Sequence, residues 1–333
     1  MRQPRKPTQA KTSCLIPVKS KTQVVRVRNV VRRYEKYHET SISYEEIKNF
    51  LQKLQREHKE KIEVETIGHS FCGRPILMAK IKEYSGCLRR PKSYKTFIEA
   101  GSSGNSWSTV STALYLIEHA TKNNDLTILS DYYIIPCSNP DGYQNSLDGL
   151  PFFDLTFNYP VVLGCGDIHK IPENEFKEAV IRWRRGYRYR SPETEAMQNI
   201  LMKYKDTIKL FITLQEGPNT SKILYPFGNT VEGVGNIQLV RKVAMAGRTA
   251  AKRLMFQVGS IVEVCGLRLG GITDYVQMMD SQTASPLFSY IVRVQNKKKR
   301  PHKCVILAQG KEIKEVVKGM ARNVFLVLRR YGY

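Results

Sequence analysis

The chain has 333 residues, 41% hydrophobic and 25% charged, an ordinary globular composition with length enough for a substantial core. Its 53 Lys and Arg against 30 Asp and Glu give a net charge of +23, which favours acidic partners such as nucleic acid, an anionic membrane or an acidic protein surface. No run approaches the roughly 20 apolar residues of a membrane helix, and MRQPRKPTQAKTSCLIPVKSK lacks a signal-peptide core, so a soluble, intracellular protein, cytoplasmic or nuclear, is expected.

Residues 1–37 read as a separate basic tail. Lys and Arg recur from Arg2 to Lys36 and only Glu35 opposes them, and such like-charge tracts stay extended. Residues 38–333 read as one α/β domain. SISYEEIKNFLQKLQREH starts at a Ser43 cap and sets Ile47, Phe50, Leu51 and Leu54 on one helical face. Two strand-like runs, KIEVETIGHSF and RPILMAKI, are separated by Cys72 and Gly73. A strand from Tyr94 to Ala100, a helix from Trp107 to Thr121 and a strand from Tyr132 to Cys137 follow. SPETEAMQNILMKY starts a helix at Ser191 and Pro192, ahead of a strand from Ile208 to Leu214. Helical spacing recurs from Asn236 to Met255, a strand spans Leu287 to Val294, and a last helix runs from Glu312 to Arg330. Alternation of this kind predicts a mixed sheet with helices on both faces.

The seven cysteines include no C-x-x-C pair, which argues against a zinc knuckle or a redox motif. Cys137 and Cys265 sit in apolar strand-like runs and read as small buried hydrophobes.

Five pieces, in order, resemble the zinc carboxypeptidases of the A/B family over about Tyr44 to Tyr333: IGHSFCGRPILMAKI, NPDGY, SPETEAM, KLFITLQEGPNTSKILYPFG and GGITDY. YKTFIEAGSSGNSWSTVSTALYLIEHA resembles the strand, turn and helix that carry that family's first zinc ligands. The resemblance implies an eight-stranded mixed sheet with helices on both faces. The family's catalytic inventory carries over poorly. Ser103, Ser106 and Gln215 stand at the three zinc-ligand positions, where imidazole and carboxylate are needed. Ile291 stands at the general base, with Arg293 retained. Thr156 and Phe157 replace the pair that grips a terminal carboxylate, and Asn105 replaces an arginine between ligands. The substrate-capping tyrosine falls on or near Gln277, and a segment between Tyr143 and Phe152 looks deleted.

None of the six histidines forms an H-x-x-E or H-E-x-x-H pattern. GSSGNSW does not match a nucleophile elbow and reads as a polar turn capping the next helix. Glu216 reads as a solvated loop carboxylate and Asp274 as a structural hydrogen-bond acceptor. Two basic runs are candidate binding patches. RWRRGYRYR, with Arg182, Arg184, Arg185, Arg188 and Arg190, reads as an exposed loop whose aromatics either stack on nucleic-acid bases or pack on the body. The other is Lys297, Lys298, Lys299 and Arg300. The expectation is a catalytically inactive carboxypeptidase-like protein, without a cofactor, that engages an acidic protein surface or polymer such as a cytoskeletal filament, or nucleic acid. The alternative is an active zinc carboxypeptidase with displaced ligands.

Overall fold

The computed structural model describes residues 42–332 apart from 83–93, 161–171, 188–189, 218–219, 231–232, 281–282, 284 and 296–302. The tail at residues 1–37 and the patch at Lys297, Lys298, Lys299 and Arg300 therefore lie outside the described residues. Helix α1 (Tyr44–Glu57) begins at a reciprocal cap: Ser43 Oγ accepts the Glu46 N–H, and the Glu46 carboxylate accepts the Ser43 N–H at 2.9 Å. Its buried face carries Ile47, Phe50, Leu51 and Leu54, as the spacing predicts. Strands β1 (Ile62–His69) and β2 (Pro75–Ile81) form an antiparallel hairpin. Its turn passes through Gly73 at φ +78, a conformation open to glycine at little cost.

Strand β3 (Lys95–Ala100), helix α2 (Trp107–Lys122) and strand β4 (Asp131–Ile135) make a parallel crossover. Then come α3 (Pro140–Leu147), α4 (Glu173–Tyr187), α5 (Pro192–Tyr204), β5 (Ile208–Gly217), β6 (Lys222–Tyr225), α6 (Ile237–Ala250), β7 (Gln257–Ser260), α7 (Ile261–Cys265), α8 (Ile272–Met278), β8 (Phe288–Gln295) and α9 (Lys303–Arg330). The sheet has eight strands in the order β1-β2-β4-β3-β5-β8-β6-β7. Strands β4, β3, β5 and β8 run parallel, with antiparallel neighbours β2 and β6 on either side.

The central strands are buried on both faces, which is why they read as unbroken apolar runs. Ile98, Tyr132, Ile134 and Ile212 join α1, α2, α6 and α9 in one core layer. Phe97, Tyr133, Ile135 and Phe211 join α5 and α8 in the other. Phe97 and Phe211 stack at 5.8 Å between ring centroids, and each such buried ring contributes about 2–3 kcal/mol.

Four segments differ from their sequence reading. The NPDGY turn opens helix α3, because Asn139 Oδ1 accepts the Gly142 N–H at 2.9 Å and caps it. RWRRGYRYR is no loop up to Tyr187: α4 carries Arg182, Arg184 and Arg185. The helix read from Asn236 ends at Ala250, since the Glu312 carboxylate draws out the next turn by accepting N–H groups of Lys252, Arg253 and Leu254. Helix α9 starts at Lys303 rather than Glu312. Its first turns are held by buried Ile306 and by Gln309, whose Nε2 donates to Thr112 Oγ1 at 3.0 Å and Ser108 Oγ at 3.3 Å.

Candidate functional site

The parallel strands β3, β5 and β8 end side by side, and the residues after a parallel sheet's carboxyl ends are where such folds hold their sites. The turn after β3 is tightly built. Gly101 has φ +74, and a β-carbon on Gly104 would lie 2.3 Å from the Gly142 carbonyl oxygen. This packing brings Ser103 into a β-bridge with Asp154, and Ser103 Oγ donates to Asn105 Oδ1 at 2.9 Å. Asn105 itself is exposed. Asp154 Oδ1 accepts both the backbone N–H (2.9 Å) and the hydroxyl (2.5 Å) of Thr156, which is buried, while Phe157 is half-buried.

Ser106 precedes α2 but makes no capping bond with its side chain, since its ψ of 54 is not the extended geometry a cap uses. Glu216, at the end of β5, does that work. Its Oε1 accepts Ser108 N–H at 2.6 Å and Thr109 N–H at 3.3 Å, a carboxylate set on a helix N-terminus. Glu216 is thus a structural cap and not the solvated loop group read from sequence.

Register places Gln215 opposite Arg293 and Thr213 opposite Ile291. The Arg293 guanidinium donates from Nη2 to Gln215 Oε1 at 3.0 Å, and Nη1 lies 3.5 Å from Cys265 Sγ. Cys265 ends the short helix α7 and is half-buried, where the sequence reading had a buried strand residue. Ile291 is 5% exposed in an apolar cluster with Leu224 and Ile261, packed by Val264 and Cys265. Ser103 and Ser106 thus follow the end of β3, Gln215 lies near the end of β5, and Ile291 sits within β8 opposite Thr213. Gln277 lies on α8. Its Nε2 donates to Leu287 O at 3.2 Å and its Oε1 accepts Ser289 Oγ at 3.1 Å, which fixes it beside the earlier part of β8.

Glu99 escaped the sequence reading. It is fully buried in β3 and accepts hydroxyl hydrogen bonds from Ser138 and, at 2.5 Å, from Thr213. Burial pushes its carboxyl up, with the hydroxyl donors opposing. The sequence signal was a lone charge in the apolar run TFIEA. Asp274 is the structural acceptor expected: both its oxygens accept Gly228 N–H, at 3.1 and 3.0 Å, and Oδ2 accepts Asn229 N–H at 3.1 Å.

A cleft of about 410 Å³ adjoins the Ser103 turn, lined among others by Phe71, Asn139, Asp141, Phe153, Asp154 and Glu193. Its wall at Asp141 is rigid, since this carboxylate accepts Ser70 Oγ at 2.8 Å, Cys72 N–H at 2.7 Å and Arg74 Nη1 at 2.5 Å. Of the candidate patch residues, Arg184 and Arg190 are exposed. The side chains of Arg182 and Arg185, and all of Arg188, lie outside the described residues. Trp183 packs against Ala179, Leu267 and Leu269 and donates from Nε1 to Tyr159 O at 3.3 Å, which takes its ring out of any stacking role.

The donors at the strand ends do not suit a catalytic zinc. Two are neutral hydroxyls, and the third is an amide oxygen already occupied by a guanidinium. Among the described residues, no group of three or more His, Cys, Asp and Glu is placed to hold a metal ion. His69 ends β1 and is exposed, and His119 is engaged with Asp125 at 2.8 Å.

The family model for zinc carboxypeptidases matches residues 47–159. The chain is 24% identical over 248 residues to a zinc carboxypeptidase of Simulium vittatum, covering 69% of this chain and 79% of that protein. It is 23% identical over 265 residues to carboxypeptidase B of Astacus astacus, covering 70% and 80%. In fold it is similar to bovine thrombin-activatable fibrinolysis inhibitor (TM-score 0.69, 19% identity, 86% of this chain and 98% of that one). It is also similar to carboxypeptidase A of Helicoverpa armigera (TM-score 0.68, 21% identity, 86% and 74%). With the eight-stranded mixed sheet and the ordered motifs along it, these matches show a carboxypeptidase-like α/β fold and support membership of the zinc carboxypeptidase family.

Proposed function

We propose that this protein is a non-catalytic member of its family, a binding or structural component that engages an acidic protein surface or polymer through its basic surface. One observation carries the reading: Gln215, at the position the resemblance gives to the third zinc ligand, offers only an amide oxygen, and that oxygen already accepts the Arg293 guanidinium at 3.0 Å. Ile291 supports it, because an alkyl group in an apolar cluster neither accepts nor delivers a proton. So do Thr156 and Phe157, which offer no bidentate receptor for a terminal carboxylate. Nucleic acid is the weaker partner reading, because Trp183 is packed away. The rival, hydrolysis of C-terminal residues by zinc held at displaced ligands, rests on the family alone.

Peptides of varied C-terminus, incubated with the full chain and added zinc and followed by mass spectrometry, are expected to stay intact. C-terminal trimming that a chelator abolishes would overturn the proposal.

A further inference from the structure

Helices α6 and α9 lie side by side and antiparallel in the helical layer. Their contact is close because glycines make it. A β-carbon on Gly247 would lie 2.7 Å from Met320 Cγ, and one on Gly319 would lie 2.8 Å from the Ala246 carbonyl oxygen. With Gly247 against Val316 and Met320, and Gly319 against Ala246 and Ala250, the Lys242–Met245 turn of α6 comes alongside the Arg322–Leu326 turn of α9.

The outer surface of this pair is cationic without local compensation. Between Glu232 and Glu263 the chain has five Lys and Arg and no acid, and after Glu315 it has no acid at all. Arg241, Lys242 and Arg248 are all exposed on α6, with Lys242 next to Arg241 and Arg248 seven residues, about two turns, beyond Arg241. Arg322 and Arg329 are exposed on α9. None of these five forms an ion pair among the described residues, whereas Lys314 and Lys318 nearby are engaged by Glu315 and Asp125. Glu312 is turned inward onto backbone N–H groups. Two apolar side chains stand out among the cations: Met245 at 42% exposure and Leu326 at 52%.

We propose that this face is a peripheral docking surface for an anionic lipid bilayer. A flat pair of helices with cations around protruding apolar side chains matches an interface that offers negative headgroups over an apolar layer. A polyacidic peptide needs carboxylate partners only and leaves Met245 and Leu326 unexplained. No described helix is long and apolar enough to cross a membrane, so the attachment is to the surface. The inference is independent of the catalytic reading, because it uses none of the strand-end residues.

The test is flotation of the full chain with vesicles of phosphatidylcholine alone and with about 30% phosphatidylserine, at low and physiological salt. The wild type is expected to float with the anionic vesicles only, and less at higher salt. Arg241→Ser/Lys242→Ser/Arg248→Ser is expected to weaken binding by at least about tenfold, since each cation near such a surface contributes roughly fivefold. Met245→Ser/Leu326→Ser is expected to weaken it several-fold while leaving the charge intact. Circular dichroism checks that these surface variants stay folded. Failure to bind anionic vesicles, or a triple variant that binds as well as wild type, would overturn the proposal. So would capture of a polyglutamate peptide by this face without vesicle binding.

Discussion

Replacing Asp274 with Ala is expected to destabilise the protein by about 3–5 kcal/mol in denaturant unfolding. The side chain is 1% exposed and holds the loop at Gly228 and Asn229 onto α8. Without it two buried N–H donors lose their acceptor, and an unmade buried hydrogen bond costs far more than a made one yields. Burial pushes this carboxyl up to about 7, with the N–H donors of Gly228 and Asn229 opposing. The folded state therefore holds the proton more tightly than the unfolded chain, whose carboxyl titrates near 3.8. This contribution is fully present below about pH 4 and is lost as pH rises through 7. It amounts to roughly 4 kcal/mol at most. Asp274→Asn, which cannot titrate, should flatten that part of the stability profile; an unchanged slope between pH 4 and 7 would assign it to other groups.

Placing a carboxylate at Ile291, the position the resemblance gives to the general base, is expected to do harm without gain. Ile291 packs among Leu224, Ile261 and Val264, and Arg293 is already committed to Gln215. Ile291→Glu at neutral pH therefore places a charge without a free partner in apolar surroundings, at about 3–5 kcal/mol. Its carboxyl should be raised, so the deficit relative to wild type should shrink as pH falls and the group takes a proton. Ile291→Leu, which keeps volume and polarity, should cost under about 1.5 kcal/mol. A glutamate variant as stable as wild type at pH 7 would mean that Arg293 is free to turn and pair with it.

The sheet was legible because its signals are local. Runs such as KTFIEA and KLFITL are apolar on both faces, and Ser43 and Ser191 cap their helices with their own side chains. What failed to read is non-local. Glu216 caps a helix 108 residues earlier in the chain, a contact no window around LQEG contains. The start of α9 depends on Gln309 reaching two hydroxyls of α2 about 200 residues away. Ser103, Ser106, Gln215 and Ile291 were singled out only through the resemblance, because nothing in their own segments marks them. That the Arg293 guanidinium meets Gln215 followed from the parallel register of β5 and β8 and from nothing in either segment alone. Gln277, read on or near the capping position beside an insertion, is held against Leu287 and Ser289.

The most direct test of the central claim is zinc stoichiometry of the purified full chain, by elemental mass spectrometry after mild dialysis against metal-free buffer. Hydroxyls at Ser103 and Ser106, and an amide held by Arg293, predict zinc far below one per chain. One tightly held zinc per chain would contradict the account and place a working metal centre on ligands other than these.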